Sequence, residues 1–269
     1  MLELEHRFQI LDVHARLDPD GEPPGAVPDR LEREMHQAGV VRAVVSPPPR
    51  DGGYLRANNA VARLCVDRPF VAFARVSGPR DPRGTPVARL RNLTASREDY
   101  HTSPDDVEQY AYDERFHGFV LDPARDGLPD DETLSRLADV SLPVYVYAGA
   151  DFSPDAVGET LLRRDLPVVL GSFGGYPLDR DLMTDALDLL SAHDDLFVDT
   201  SHVRFRDCLE RALREHPDRV LFGSGTPDVH PDVAVMELLT LDVPEDAMRR
   251  AFTHNPARVV SALSPQRQS

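Results

Sequence analysis

Short apolar runs recur along the chain, separated by stretches whose apolar residues return every three or four positions. Eight runs read as strands: residues 8–14, 41–46, 70–76, 118–122, 143–147, 167–171, 196–200 and 219–223. Several are nearly continuous Val, Leu and Phe, as strands covered on both faces require. Between them, residues 30–38, 57–66, 133–138, 181–192 and 206–214 carry a helical period. Asp29 and Thr133 are expected helix-start residues, and Gly39 stands where a helix stop belongs. Strand–helix alternation repeated eight times predicts a parallel sheet, and eight strands favour closure into a (β/α)8 barrel of the α/β class. The whole of 1–269 is expected to form one domain, with 245–263 as C-terminal helices broken at Pro256. Residues 78–112 are longer than a simple connection and rich in Pro, Arg, Asp and Ser. They predict a third helix plus an excursion over the barrel.

Composition changes the picture of the surface. The chain has 269 residues, 46 acidic against 30 basic, and a formal net charge of -16; no Lys occurs, so every base is Arg. The acids are spread along the chain instead of forming a tail. A spread excess suits high salt, where the Debye length falls to about 3 Å at 1 M. A halophilic protein is therefore expected, although a GC-rich genome would also replace Lys by Arg. An acidic surface argues against a nucleic-acid partner. No run of about 18 apolar residues suggests a membrane span. Met1–Arg7 lacks a basic stretch followed by an apolar one, so a cytoplasmic location is expected. Cys65 and Cys208 lie in amphipathic helices and read as small buried apolar residues. Asn92-Leu-Thr94 matches a glycosylation sequon, a chance match in such a protein.

Five landmarks then stand in order. They are Ile10-Leu-Asp-Val-His14-Ala-Arg16, Leu142-Pro-Val-Tyr-Val-Tyr147-Ala-Gly149, Pro167-Val-Val-Leu-Gly-Ser172-Phe-Gly-Gly175, Phe222-Gly-Ser-Gly225-Thr-Pro227 and Phe252-Thr-His-Asn255-Pro-Ala-Arg258. Together they resemble the amidohydrolase-related metal-dependent hydrolases and decarboxylases of the "amidohydrolase 2" type. The resemblance implies a metal held by two His of strand one, a His of strand five or six, and an Asp of strand eight. Its role is to lower the pKa of a bound water. At the matching positions this sequence has His14, Arg16, Tyr147, Ser172 and Gly225. Only His14 of the set remains, and Arg, Tyr, Ser and Gly are poor ligands. No metal is therefore expected; a fallback site would combine His14, Asp228 and His230.

In such barrels function sits at the C-terminal ends of the strands. His14 is the leading acid–base candidate, His202 a second, and Tyr147 a donor to developing negative charge. Arg16, Arg75, Ser172 and Asp228 are candidate substrate contacts. Arg16 would replace the metal's charge and clamp a carboxylate or phosphate, unless Asp12, Asp18 or Asp228 pairs with it. The expected function is hydrolysis or decarboxylation of a small anionic organic substrate without the usual metal. The alternative is a catalytically inactive barrel that binds a ligand or partner. A homo-oligomer stays open.

Overall fold

The computed structural model describes residues 9–19, 21 and 27–264. Eight strands run β1 (Ile10–Arg16), β2 (Val40–Ser46), β3 (Phe70–Val76), β4 (Phe116–Leu121), β5 (Val144–Gly149), β6 (Val168–Tyr176), β7 (Leu196–Asp199) and β8 (Val220–Leu221). Each pairs parallel with the next, so the sheet order follows the chain. Closure comes from backbone bonds between β1 and the segment after β8: Val13 N to Phe222 O, Gly225 N to His14 O and Arg16 N to Thr226 O, each 2.9–3.0 Å. The result is a single (β/α)8 barrel, as the alternation predicts.

Helices α1 (Pro28–Gln37), α2 (Leu55–Cys65), α3 (Pro86–Asn92), α4 (Pro104–Tyr112), α5 (Pro123–Asp126), α6 (Asp131–Val140), α7 (Pro154–Thr160), α8 (Arg180–Leu190), α9 (Arg206–Glu215), α10 (Pro231–Leu239), α11 (Glu245–Arg249) and α12 (Asn255–Val259) surround the sheet. Two apolar shells follow from the pleat. Leu11, Val13, Val44, Val71, Phe73, Val120, Val169 and Phe197 fill the barrel interior, and Val260 and Leu263 pack against them. Strand residues of the opposite parity, such as Ile10, Val45, Phe119 and Leu170, pack with the helices.

Several boundaries differ from the sequence reading. Phe8 lies outside the described residues. Thr133 does not start its helix: the Asp130 carboxylate accepts from the Thr133 amide at 2.9 Å and caps α6. Asp29 lies in the first turn of α1 behind Pro28, not at its cap. Gly39, with φ of 71°, does stop α1. The excursion carries two helices, α3 and α4, with the Ser103–Asp106 capping box starting the second. β6 continues to Tyr176, past the expected end at 171, while β8 is only two residues long. Cys65 is half-buried and Cys208 buried; both are free thiols, and burial pushes the Cys65 thiol up to about 12.

Candidate active site

β1 does not alternate strictly. Its register with β2 shifts between Asp12 and Ala15. Val13 belongs to the barrel interior, yet the His14 imidazole also turns inward to meet two tyrosines of β5. Asp12 is fully buried, and one of its oxygens accepts from the amides of His14 and Ser224, both at 2.9 Å. Its other oxygen has no partner, and burial pushes its carboxyl up to about 7.

Around His14 the contacts are all to oxygen. Nδ1 lies 2.8 Å from the Tyr145 hydroxyl and 2.9 Å from Ser201 Oγ; Nε2 lies 2.6 Å from the Tyr147 hydroxyl. Asp199, at the end of β7, collects the network: its carboxylate accepts from Tyr145 at 3.1 Å, from Ser201 at 2.8 Å and from the Ser172 amide at 2.6 Å. A carboxylate can only accept, so Tyr145 and Ser201 spend their protons on Asp199 and offer lone pairs to His14. Nδ1 therefore carries the imidazole proton, Nε2 is the acceptor, and Tyr147 donates to it. Burial lowers the His14 pKa, against the opposing pull of Asp199 3.5 Å away. Burial likewise raises both Tyr145 and Tyr147 above the ordinary phenol range. At neutral pH the imidazole and both phenols are uncharged.

The Tyr147 phenol is also part of the wall of a cavity of about 360 Å³ at the C-terminal mouth. Arg16, Arg75, Arg125, Phe152 and Tyr176 line it as well. Arg16 is ion-paired to Asp228, not to Asp12. Arg75 is fully buried. Its Nη2 donates to Asp122 and its Nε to Asp126, both at 2.7 Å, and Asn58 holds its backbone on both sides. Burial disfavours the guanidinium charge, but Asp126, Tyr54 and Asp122 outweigh it and the pKa is raised. Its Nη1 is buried without a partner.

The other expected contacts sit deeper or further out. Ser172 is buried beneath the mouth, 3.3 Å from Ser201 Oγ and 3.5 Å from His202 Nδ1, and is absent from the cavity wall. His202 is part-buried, its ring 5.9 Å from that of His14 and 5.8 Å from that of Tyr176. The Thr226-Pro-Asp228 stretch forms a turn. The fallback trio is not assembled: His230 Nδ1 caps α10 by accepting from Asp232, and among the described residues no three His, Cys, Asp or Glu side chains gather as metal ligands. Tyr145 and Asp199 were not among the sequence candidates. Tyr145 had a signal, since it stands two residues before Tyr147 on the same face; Asp199 had one as the last residue of its strand.

Where the resemblance calls for an aspartate, Gly225 has φ of 75°, and a Cβ there would lie 2.6 Å from the His202 ring. Gly223 is equally constrained, its missing Cβ falling 2.1 Å from Asp199 Oδ2. The amidohydrolase family model matches residues 12–261. The chain belongs to that family. No curated protein matches it. Among solved structures, a 2,6-dihydroxybenzoate decarboxylase from Rhizobium superposes with TM-score 0.65 at 14% identity, covering 95% of this chain and 99% of that one. A 5-carboxyvanillate decarboxylase from Novosphingobium aromaticivorans, complexed with manganese, gives 0.67 at 13% identity over 95% and 96%. A probable 2-pyrone-4,6-dicarboxylic acid hydrolase from Acinetobacter baumannii, with citric acid bound, gives 0.62 at 15% identity over 94% and 100%. At these identities the likeness is one of fold. At the positions where the resemblance implies metal ligands, hydroxyls hydrogen-bond both His14 nitrogens and Gly225 has no side chain.

Proposed function

We propose that this amidohydrolase-family chain is an enzyme that hydrolyses a small organic anion without a divalent metal, using Tyr147 and His14 as a proton-transfer pair. The observation that carries this reading is the direction of the hydrogen bonds. Asp199 orders Tyr145 and Ser201, they orient His14, and His14 accepts from Tyr147. The Tyr147 oxygen can take a proton from a water or substrate hydroxyl in the cavity while its own proton passes to His14 Nε2. The resulting imidazolium faces Asp199, which stabilises it as a buried carboxylate stabilises a catalytic histidine. Arg16, Arg125 and the unpartnered Nη1 of Arg75 supply the anchor for the substrate's negative charge. Run in the opposite sense, the same pair delivers a proton to carbon, which is what decarboxylation of an aromatic acid requires. The names of the structural neighbours, decarboxylases and a hydrolase of aromatic or pyrone acids, support a substrate of that size.

The test is turnover of hydroxybenzoates and pyrone dicarboxylates by protein held in chelator. Turnover without metal that disappears in Tyr147→Phe and His14→Ala, with ligand binding retained, supports the reading. Turnover that appears only on adding manganese or zinc sinks it. If no acid turns over but Arg16→Met abolishes binding of one of them, the chain is a ligand-binding barrel, because the anchors would be intact and the chemistry lost.

A further inference from the structure

Arg16 stands in the wall of the mouth cavity, but its guanidinium is already matched: Nη2 donates to Asp228 Oδ2. A neutral pair draws a substrate carboxylate weakly, because the incoming charge meets an anion as well as a cation. Asp228 itself is not part of the cavity wall. It lies in the turn after Gly225, where its amide donates to Gly225 O at 3.1 Å, and its side chain is 48% exposed. The backbone of Asp228 is therefore held while its carboxylate has space to turn.

A second donor faces the same oxygen. His202 Nε2 lies 3.8 Å from Asp228 Oδ2, too far for a hydrogen bond, and it is buried with no partner. A buried nitrogen left like this costs stability. The ring is nonetheless held there. His202 takes a left-handed φ of 58°, its Nδ1 turns to the Ser172 hydroxyl 3.5 Å away, and its edge meets the Tyr176 ring. Gly225 makes room, since a Cβ there would fall 2.6 Å from the imidazole. Against partial burial, His202 first and Arg16 after it hold the Asp228 carboxyl below its ordinary range, as two partners of one anion do.

Given the anchoring role proposed above for Arg16, we propose that Asp228 is an exchangeable internal carboxylate that sets the affinity of the mouth for its anionic substrate. It occupies Arg16 in the free protein; a substrate carboxylate takes its place on Arg16 while Asp228 turns onto His202 Nε2. The exchange conserves pairing. Arg16 trades one carboxylate for another, which its planar fork can hold by two bonds. The displaced anion reaches a donor that has no partner in the free protein, so no charge is left unpaired. Without His202, the displaced carboxylate would stay beside the arriving one and repel it.

Calorimetry of the full chain with benzoate and 2,6-dihydroxybenzoate tests this. Asp228→Asn removes the competing charge and is expected to tighten binding about fivefold, the weight of a partly exposed ion pair. His202→Asn keeps a residue that tolerates the left-handed backbone but is too short to receive Asp228. It is expected to weaken binding about threefold in the wild type and to change nothing in the Asp228→Asn background, the mark of two coupled residues. Saturating benzoate is expected to shift the nitrogen resonance of His202 Nε2 in the wild type and not in Asp228→Asn. If Asp228→Asn binds no more tightly, or His202→Asn weakens both backgrounds alike, while Arg16→Met still abolishes binding, the exchange is overturned and the anchor stands. If neither acid binds the wild type or Asp228→Asn, anchor and exchange fall together. Should Asp228→Asn fail to fold, the wild-type resonance decides alone: unmoved at saturation, it overturns the exchange.

Discussion

His14 Nε2 and the Tyr147 hydroxyl lie 2.6 Å apart, with Tyr147 as donor and the mouth cavity beyond it. The proton Tyr147 holds is therefore directed away from the substrate space, and its lone pairs are directed into it. Tyr147→Phe keeps the ring packing against Arg75, whose Cζ lies 5.7 Å from the ring centroid, and removes only the hydroxyl. Turnover is expected to fall about 100-fold or more, the usual range for a lost acid–base group, with KM little changed. A variant with unchanged kcat would show that Tyr147 only packs.

An aspartate at position 225, as the resemblance implies, is expected to damage the protein instead of building a metal site. Gly225 occupies the left-handed region and its missing Cβ points at the His202 ring. Gly225→Asp costs about 1–3 kcal/mol in backbone strain, before the ring is displaced. The melting temperature is expected to drop by several degrees with no gain in zinc binding by calorimetry. A stable Gly225→Asp variant that binds zinc stoichiometrically would contradict the geometry.

Asp12 makes stability depend on pH in a defined sense. Its carboxyl is raised from 3.8 to about 7 in the fold, so between those values the native state holds a proton that the unfolded state has released. That contribution is fully present below about pH 4 and is lost as pH rises through 7. A carboxyl moved that far changes stability by about 4 kcal/mol at most. Asp12→Asn is expected to flatten the melting temperature against pH between 4 and 7 and to exceed the wild type at pH 8. Parallel curves for the two proteins would show that Asp12 does not titrate in that window.

Salt should raise stability. A net charge of -16 repels itself in dilute buffer and is screened in molar salt. Arginine–carboxylate pairs such as Arg68 with Asp29 and Glu32 offset part of that repulsion, but exposed pairs weaken on screening. The melting temperature is expected to rise from low to multimolar potassium chloride. An unchanged value would mean that the Arg-only composition reflects codon usage and not adaptation to salt.

The sequence alone determined the barrel, because eight buried strands separated by amphipathic helices leave few other ways to cover both faces of a parallel sheet. It also put His14, Arg16, Tyr147 and His202 at or just past strand ends, of which Arg16 and Tyr147 line the mouth cavity. At the positions that the resemblance gives to metal ligands it has Arg16, Tyr147, Ser172 and Gly225 beside His14. What those residues do was a tertiary matter. Alternation along β1 put Asp12, His14 and Arg16 on one face, but the register shift between Asp12 and Ala15 separates them. Asp12 binds backbone amides, His14 joins β5 and β7, and Arg16 pairs with Asp228. Ser172 and Arg75 were legible as strand-end polar residues, yet only packing decided that one is sealed beneath the mouth and the other leaves a single nitrogen unpartnered. Tyr145 and Asp199 acquire their meaning by meeting His14 across the barrel. Such meetings depend on strand stagger and on which hydroxyl holds which proton, and neither is encoded in local sequence period.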